Sequence, residues 1–146
     1  MTSLTLVRRI AARPAIVFAA LSTSEGVAAW WGPGKFPVIS ARMDARVGGG
    51  YRVRFHSGDG REHEAFGEFL EVVAPSRLVM TYAYAVGGEP EEEGRTSLIE
   101  IDVCAINGGS ELTFTHSQLR NEVSVASHRG GWSGAFAKLV EQLGEV

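Results

Sequence analysis

The side chains best suited to moving a proton in this sequence are His116, His128, Tyr82 and Tyr84. His116 shares with Leu112 and Phe114 one face of a period-two segment, and His128 stands one helical turn before Trp132. Imidazole titrates near neutrality, so two of them facing one cavity could serve as general acid and base, or bind a ligand carboxylate or carbonyl. The same spacing suits two buried structural histidines held by hydrogen bonds. Tyr82 and Tyr84 lie on one strand face with Met80 alongside. Their hydroxyls could orient a ligand's polar end while Trp30, Trp31, Phe55, Phe114, Trp132 and Phe136 hold its apolar part; Phe66 and Ile101 complete the candidate lining. Plain core packing of the same aromatics is the competing reading.

Other chemistries find less support. His56 and His63 flank a hairpin turn, and no Cys-x-x-Cys, His-x-x-x-His or clustered carboxylates supply further ligands, so no metal is expected. Gly48-Gly49-Gly50 joins two strands and lacks the Lys-Ser/Thr ending of a phosphate-binding loop. No Gly-x-Ser-x-Gly elbow is present, and no cofactor is implied. The single cysteine, Cys104, cannot form an internal disulfide, and its strand context predicts a buried or half-buried residue in a reducing compartment. A net charge of -3 offers no basic face for nucleic acid. Glu91-Glu92-Glu93 follows Gly87-Gly88 and Pro90 and reads as a solvated loop tip, and Asp44 with Arg46 as a surface ion pair. Neither a signal peptide nor a membrane span is found, which predicts a cytoplasmic protein.

The elements that must position these residues follow from periodicity. Leu4, Leu6 and Ile10 fit an opening strand; Arg13-Pro14 starts a short helix through Val17, Phe18 and Leu21. Ser22-Thr23-Ser24 offers a cap for a second short helix reaching Trp30 and Trp31, ended by Gly32-Pro33-Gly34. From Phe36 the period becomes two, and turns at Gly48-Gly49-Gly50, Gly58-Asp59-Gly60, Pro75-Ser76 and Asn107-Gly108-Gly109 punctuate further strands. A final helix carries Val125, His128, Trp132, Phe136, Leu139 and Leu143 as one stripe. Gly130, Gly131 and Gly134 inside it each cost about 1 kcal/mol relative to alanine, which implies a close backbone or a ligand beside them. With 146 residues the chain suits one domain, 1-146. The expected architecture is α+β: a curved seven-stranded antiparallel sheet, two short helices after strand 1, and a long C-terminal helix over the concave face, a helix-grip arrangement. One helix, about 10–12 Å across, is too narrow to fill such a groove, so large side chains or a ligand must occupy the remainder.

Trp30-Trp31-Gly32-Pro33, then Asp44-Ala45-Arg46-Val47-Gly48-Gly49-Gly50-Tyr51, Gly67 ahead of Pro75-Ser76-Arg77-Leu78, Leu112-Thr113-Phe114-Thr115-His116 and Gly131-Trp132 together resemble the AHSA1-like family. That family is named for the activator of Hsp90 ATPase and belongs to the START / Bet v1-like (SRPBCC) superfamily. The resemblance covers essentially the whole chain and implies a helix-grip fold with a cavity between sheet and C-terminal helix. Members of the superfamily include lipid and hormone binders, polyketide cyclases and co-chaperone modules. Hsp90 activators carry in addition an N-terminal domain with an Asn-rich, Trp-His-Trp motif that this sequence does not contain. The leading expectation is therefore a binder of a small apolar or aromatic ligand. The alternatives are a chaperone-interaction or regulatory module, and a cyclase- or dehydratase-type enzyme using the cavity His and Tyr residues. A homodimer is compatible with the sequence, though no residue pattern demands one.

Overall fold

The computed structural model describes residues 2–88 and 90–146; the side chain of Glu91, part of the acidic run, lies outside the described part. Strand β1 (Leu4–Ile10) leads into helices α1 (Pro14–Ser22) and α2 (Ser24–Ala28). Strands β2 (Ser40–Met43), β3 (Gly50–His56), β4 (Glu62–Val73) and β5 (Arg77–Val86) follow, then a 3-10 turn (Pro90–Glu92), β6 (Ser97–Ile106), β7 (Gly109–Ser117) and helix α3 (Glu122–Leu143). The sheet order is β1-β7-β6-β5-β4-β3-β2, antiparallel throughout. This is the seven-stranded α+β helix-grip architecture expected from the sequence.

Strand parity explains which residues face inward. Ser110, Leu112, Phe114 and His116 alternate inward along β7, and register sets Phe114 between Leu6 and Ile101, and His116 between Leu4 and Ile99. The same parity on β6 buries Ile99, Ile101 and Val103 and turns Cys104 outward, so this cysteine is exposed rather than buried. The Asp44–Arg46 pair is at the surface, with Arg46 Nε 3.0 Å from the carboxylate.

Strand β2 is shorter than the period-two pattern from Phe36 suggests. Pro37 has no N–H for a ladder, and Phe36 and Ile39 stay exposed; Ile39 N donates to the Arg54 carbonyl at 2.9 Å, and the paired strand register starts at Ser40. Thr23 caps α2, its hydroxyl accepting from Gly26 N at 3.0 Å, and the helix ends at Ala28, just before the tryptophan pair. Helix α3 is capped by Asn121, whose side chain accepts from Ser124 N at 2.9 Å. Its stripe of Val125, His128, Trp132, Phe136 and Leu139 is buried. The middle of the groove is filled by rings: Trp30 stacks on Phe136 at 5.3 Å between centroids, and Phe114 meets Trp132 at 4.8 Å. A β-carbon on Gly134 would lie 2.5 Å from the Pro33 carbonyl oxygen, so this glycine admits the loop after the tryptophan pair.

Candidate functional site

Because the centre of the groove is packed, open space falls at one end. A pocket of about 480 Å³ lies between the β3–β4 hairpin, the far end of β5 and the N-terminal half of α3. Its apolar walls are Trp31, Phe55 and Trp132; Tyr82, Tyr84, His63 and His128 bring polar atoms to it. Trp31 and Trp132 meet edge to face with centroids 5.0 Å apart, forming a corner that a flat ligand can fill from two sides. Gly130 and Gly131 also line it, and a β-carbon on either would meet nothing within 4 Å. Two of the three helix glycines thus keep the pocket open, while Gly134 serves backbone packing.

The candidate residues separate into three groups. Trp31, Phe55, Tyr82, Tyr84, His128 and Trp132 line the pocket. Trp30, Met80, Ile101, Phe114, His116 and Phe136 are packed in the core behind it. Phe66 is on the opposite face of the sheet: parity on β4 turns His63 and Ala65 inward, and the Phe66 ring lies under the Arg52 guanidinium at 5.0 Å. Its inclusion in the lining is therefore corrected.

The two histidines differ in what they can do. At His116, Nδ1 accepts from the Trp132 indole N–H at 3.1 Å. Its Nε2 is 2.8 Å from Ser97 Oγ, which donates to the Tyr82 carbonyl at 3.2 Å, so the Nε2 proton is donated to Ser97. Both ring nitrogens are satisfied in the neutral form. Burial, and secondarily the nearby His128, push the His116 pKa well below its ordinary range. His116 is thus a buried histidine with both ring nitrogens hydrogen-bonded inside the core.

His128 opens toward the pocket. Its Nδ1 is 2.9 Å from the Ser124 carbonyl, an acceptor only, which places the proton on Nδ1 and leaves Nε2 to accept from the Tyr84 hydroxyl at 2.9 Å. The Tyr82 hydroxyl donates to that of Tyr84 at 3.2 Å, and burial raises the Tyr82 pKa well above the usual phenol value.

Sequence reasoning missed two participants. His63 is buried, receives the Gly88 N–H on Nδ1 at 2.8 Å, and stacks on Phe55 at 5.5 Å; its register opposite Phe55 across the hairpin was the available signal. Glu92, read as part of a solvated tip, is 4% exposed. Its carboxylate accepts from Arg120 N at 3.1 Å and from the Ser124 hydroxyl through a short contact. No local pattern marks it, because its partners arrive with α3. Among the described residues, no group of three or more His, Cys, Asp or Glu side chains is placed to hold a metal ion. No helix among them is long and apolar enough to cross a membrane.

Solved structures share this architecture. A Chromobacterium violaceum protein is 24% identical with a TM-score of 0.84, the alignment covering 97% of this chain and 96% of that one. The AHSA1 protein from Silicibacter pomeroyi is 23% identical with a TM-score of 0.82 over 97% and 96%. An AHSA1-like protein from Aeromonas hydrophila is 19% identical with a TM-score of 0.75 over 96% and 92%. At these identities the likeness establishes the fold. The model of the family described as "Activator of Hsp90 ATPase homolog 1-like protein" matches residues 11–144, and fold and family together support a ligand-binding or regulatory domain. The chain, with its helix-grip sheet and its glycine-kept pocket, belongs to the AHSA1-like family.

Proposed function

We propose that this chain binds a small, flat, largely apolar molecule in the pocket between the β3–β4 hairpin and α3. The observation that carries the reading is the union of an indole corner, Trp31 against Trp132, with a Tyr84–His128 hydrogen bond in one opening of about 480 Å³. Ligand sites commonly pair apolar walls with a few placed polar groups, and this volume is within their usual range. The setting is cytoplasmic, where the exposed thiol of Cys104 stays reduced.

Trp31 and Trp132 make the test direct, since a ligand against them alters indole fluorescence. A panel of naphthols, hydroxycoumarins and aromatic carboxylates titrated against the protein is expected to yield at least one saturable quench. Gly131→Leu, which fills the pocket, should abolish that quench, and Phe66→Ala, on the other face, should leave it intact. A flat response to the whole panel, or equal loss in both variants, removes the proposal.

The family description favours a second reading, a regulatory module acting on an Hsp90-type chaperone. It requires that saturating protein change the chaperone's ATPase rate; an unchanged rate eliminates it.

A further inference from the structure

Among the described residues, Glu92 is the only buried carboxylate. A charge taken from water is costly unless well paired, and a carboxylate at a helix N-terminus gains from the helix dipole. Capping α3 explains its contact with Arg120 N. It does not explain the direction of the other hydrogen bonds that continue from it to the pocket wall.

The Ser124 hydroxyl gives its proton to Glu92, so toward His128 Nδ1, 3.3 Å away, its oxygen can only accept. The Ser124 carbonyl at 2.9 Å can likewise only accept. His128 is therefore held as the Nδ1–H tautomer by two oxygens, one of them polarised by a carboxylate. Its Nε2 lone pair takes the Tyr84 proton, and Tyr84 lines the pocket. Every donor in the series Glu92, Ser124, His128, Tyr84 points toward the carboxylate. A proton entering at Tyr84 can displace Tyr84's own onto His128 without any side chain turning.

We propose that Tyr84 and His128 ionise a hydroxyl-bearing ligand, a phenol or enol, in this pocket, with Ser124 and Glu92 as positioning residues. The inference rests on the ligand-binding reading of the same pocket. In the step, the ligand O–H bond breaks and its proton goes to Tyr84 Oη, while the Tyr84 O–H bond breaks and its proton goes to His128 Nε2. The products are a ligand oxyanion, a neutral tyrosine and an imidazolium. No oxidant, reductant or co-reactant is consumed. The new Tyr84 O–H donates back to the oxyanion, an arrangement that stabilises an enolate or phenolate.

Charge around His128 favours this outcome. Tyr82 and Tyr84 face it from β5 and His116 from β7, Glu92 on the 3-10 turn is linked to it through the Ser124 hydroxyl, and His63 on β4 stands behind Tyr84 with ring centroids 6.1 Å apart. Neutral His116 adds no competing cation, since Trp132 occupies its Nδ1. Among these groups only Glu92 is anionic, and it offsets the imidazolium.

The probe is 7-hydroxycoumarin with the full chain, whose phenol and phenolate absorb at different wavelengths. Indole quenching reports binding and absorbance reports ionisation, so the two proposals fail separately. Bound to the unaltered protein, the probe should ionise at a pH lower by about one unit or more than in free solution. Tyr84→Phe and His128→Asn should still quench but lose the shift. Glu92→Gln keeps an acceptor for Ser124 and removes only the charge, so it should bind and show a reduced shift. Ser124→Ala provides the same test if Glu92→Gln folds poorly. Quenching with an unchanged ionisation profile, or a full shift in Glu92→Gln and Ser124→Ala alike, overturns the proton-transfer proposal alone. Absence of quenching by this probe and by the whole panel overturns both.

Discussion

The indole N–H of Trp132 donates to Nδ1 of His116 across 3.1 Å, joining the middle of α3 to β7 inside the concave face. The bond is compatible only with an unprotonated Nδ1, so it couples a packing contact to proton binding. The unfolded chain can protonate His116 near its ordinary value of 6.5, whereas the folded chain does so only well below it. The unfolded state therefore binds more protons in that window. The stabilisation is whole above about pH 6.5 and declines as the pH falls below it. Urea unfolding from about pH 7.5 down to about pH 5 should show this slope, and in His116→Gln the stability gap to the parent should narrow as the pH drops. Parallel curves for the two proteins would contradict it.

Trp132→Phe keeps most of the ring packing and removes the donor. A buried acceptor left without its partner costs about 1–3 kcal/mol, and the variant should lose that much in denaturant unfolding at neutral pH. It should also show a flatter pH slope than the parent, because Nδ1 becomes free to take a proton.

The helix glycines should respond in opposite directions. Gly130→Ala meets nothing within 4 Å and should stabilise by about 0.5–1 kcal/mol through helix propensity alone. Gly134→Ala forces a β-carbon against the Pro33 carbonyl and should destabilise by about 1–3 kcal/mol in spite of that propensity. Thermal melting of the two variants side by side decides the point.

Glu92→Ala strands the Ser124 hydroxyl and the Arg120 N–H at the start of α3 and should cost about 1–3 kcal/mol. Glu92→Gln, which still accepts, should cost less than Glu92→Ala. Equal stability for the parent and Glu92→Ala in denaturant titration would show that the 3-10 turn is not fastened there.

The strands and the buried stripe of α3 were legible because they depend on local periodicity: Leu112, Phe114 and His116 alternate, and His128, Trp132 and Phe136 recur at helical spacing. The position of the open space was not legible. It depends on Trp30 stacking on Phe136 and Phe114 meeting Trp132, contacts between residues far apart in the chain that close the middle of the groove. Six of the candidate lining residues became core for that reason. Phe66 was misplaced because it was chosen as an aromatic beside Gly67 rather than by parity: Phe69, Ala65 and His63 share the inward face of β4, and Phe66, one residue off that count, falls on the other. Glu92 illustrates the opposite limit. A carboxylate between two others looks solvated until a helix N-terminus supplies donors.

Strand β1 has the first residues of the sheet but pairs with β7, Leu4 opposite His116 and Ile10 opposite Ser110. From β3 to β7, every strand instead pairs with its immediate predecessor in sequence. During folding, hairpins from β2 onward can form by short loop closures, whereas β1 has no edge to join until β7 is in place. On the ribosome, the strand synthesised first is thus completed last, and Leu4, Leu6 and Ile10 remain uncovered through most of synthesis. The interval before β7 emerges is the period of greatest exposure to aggregation, and the arginines Arg8 and Arg9 within β1 place charge on that waiting edge.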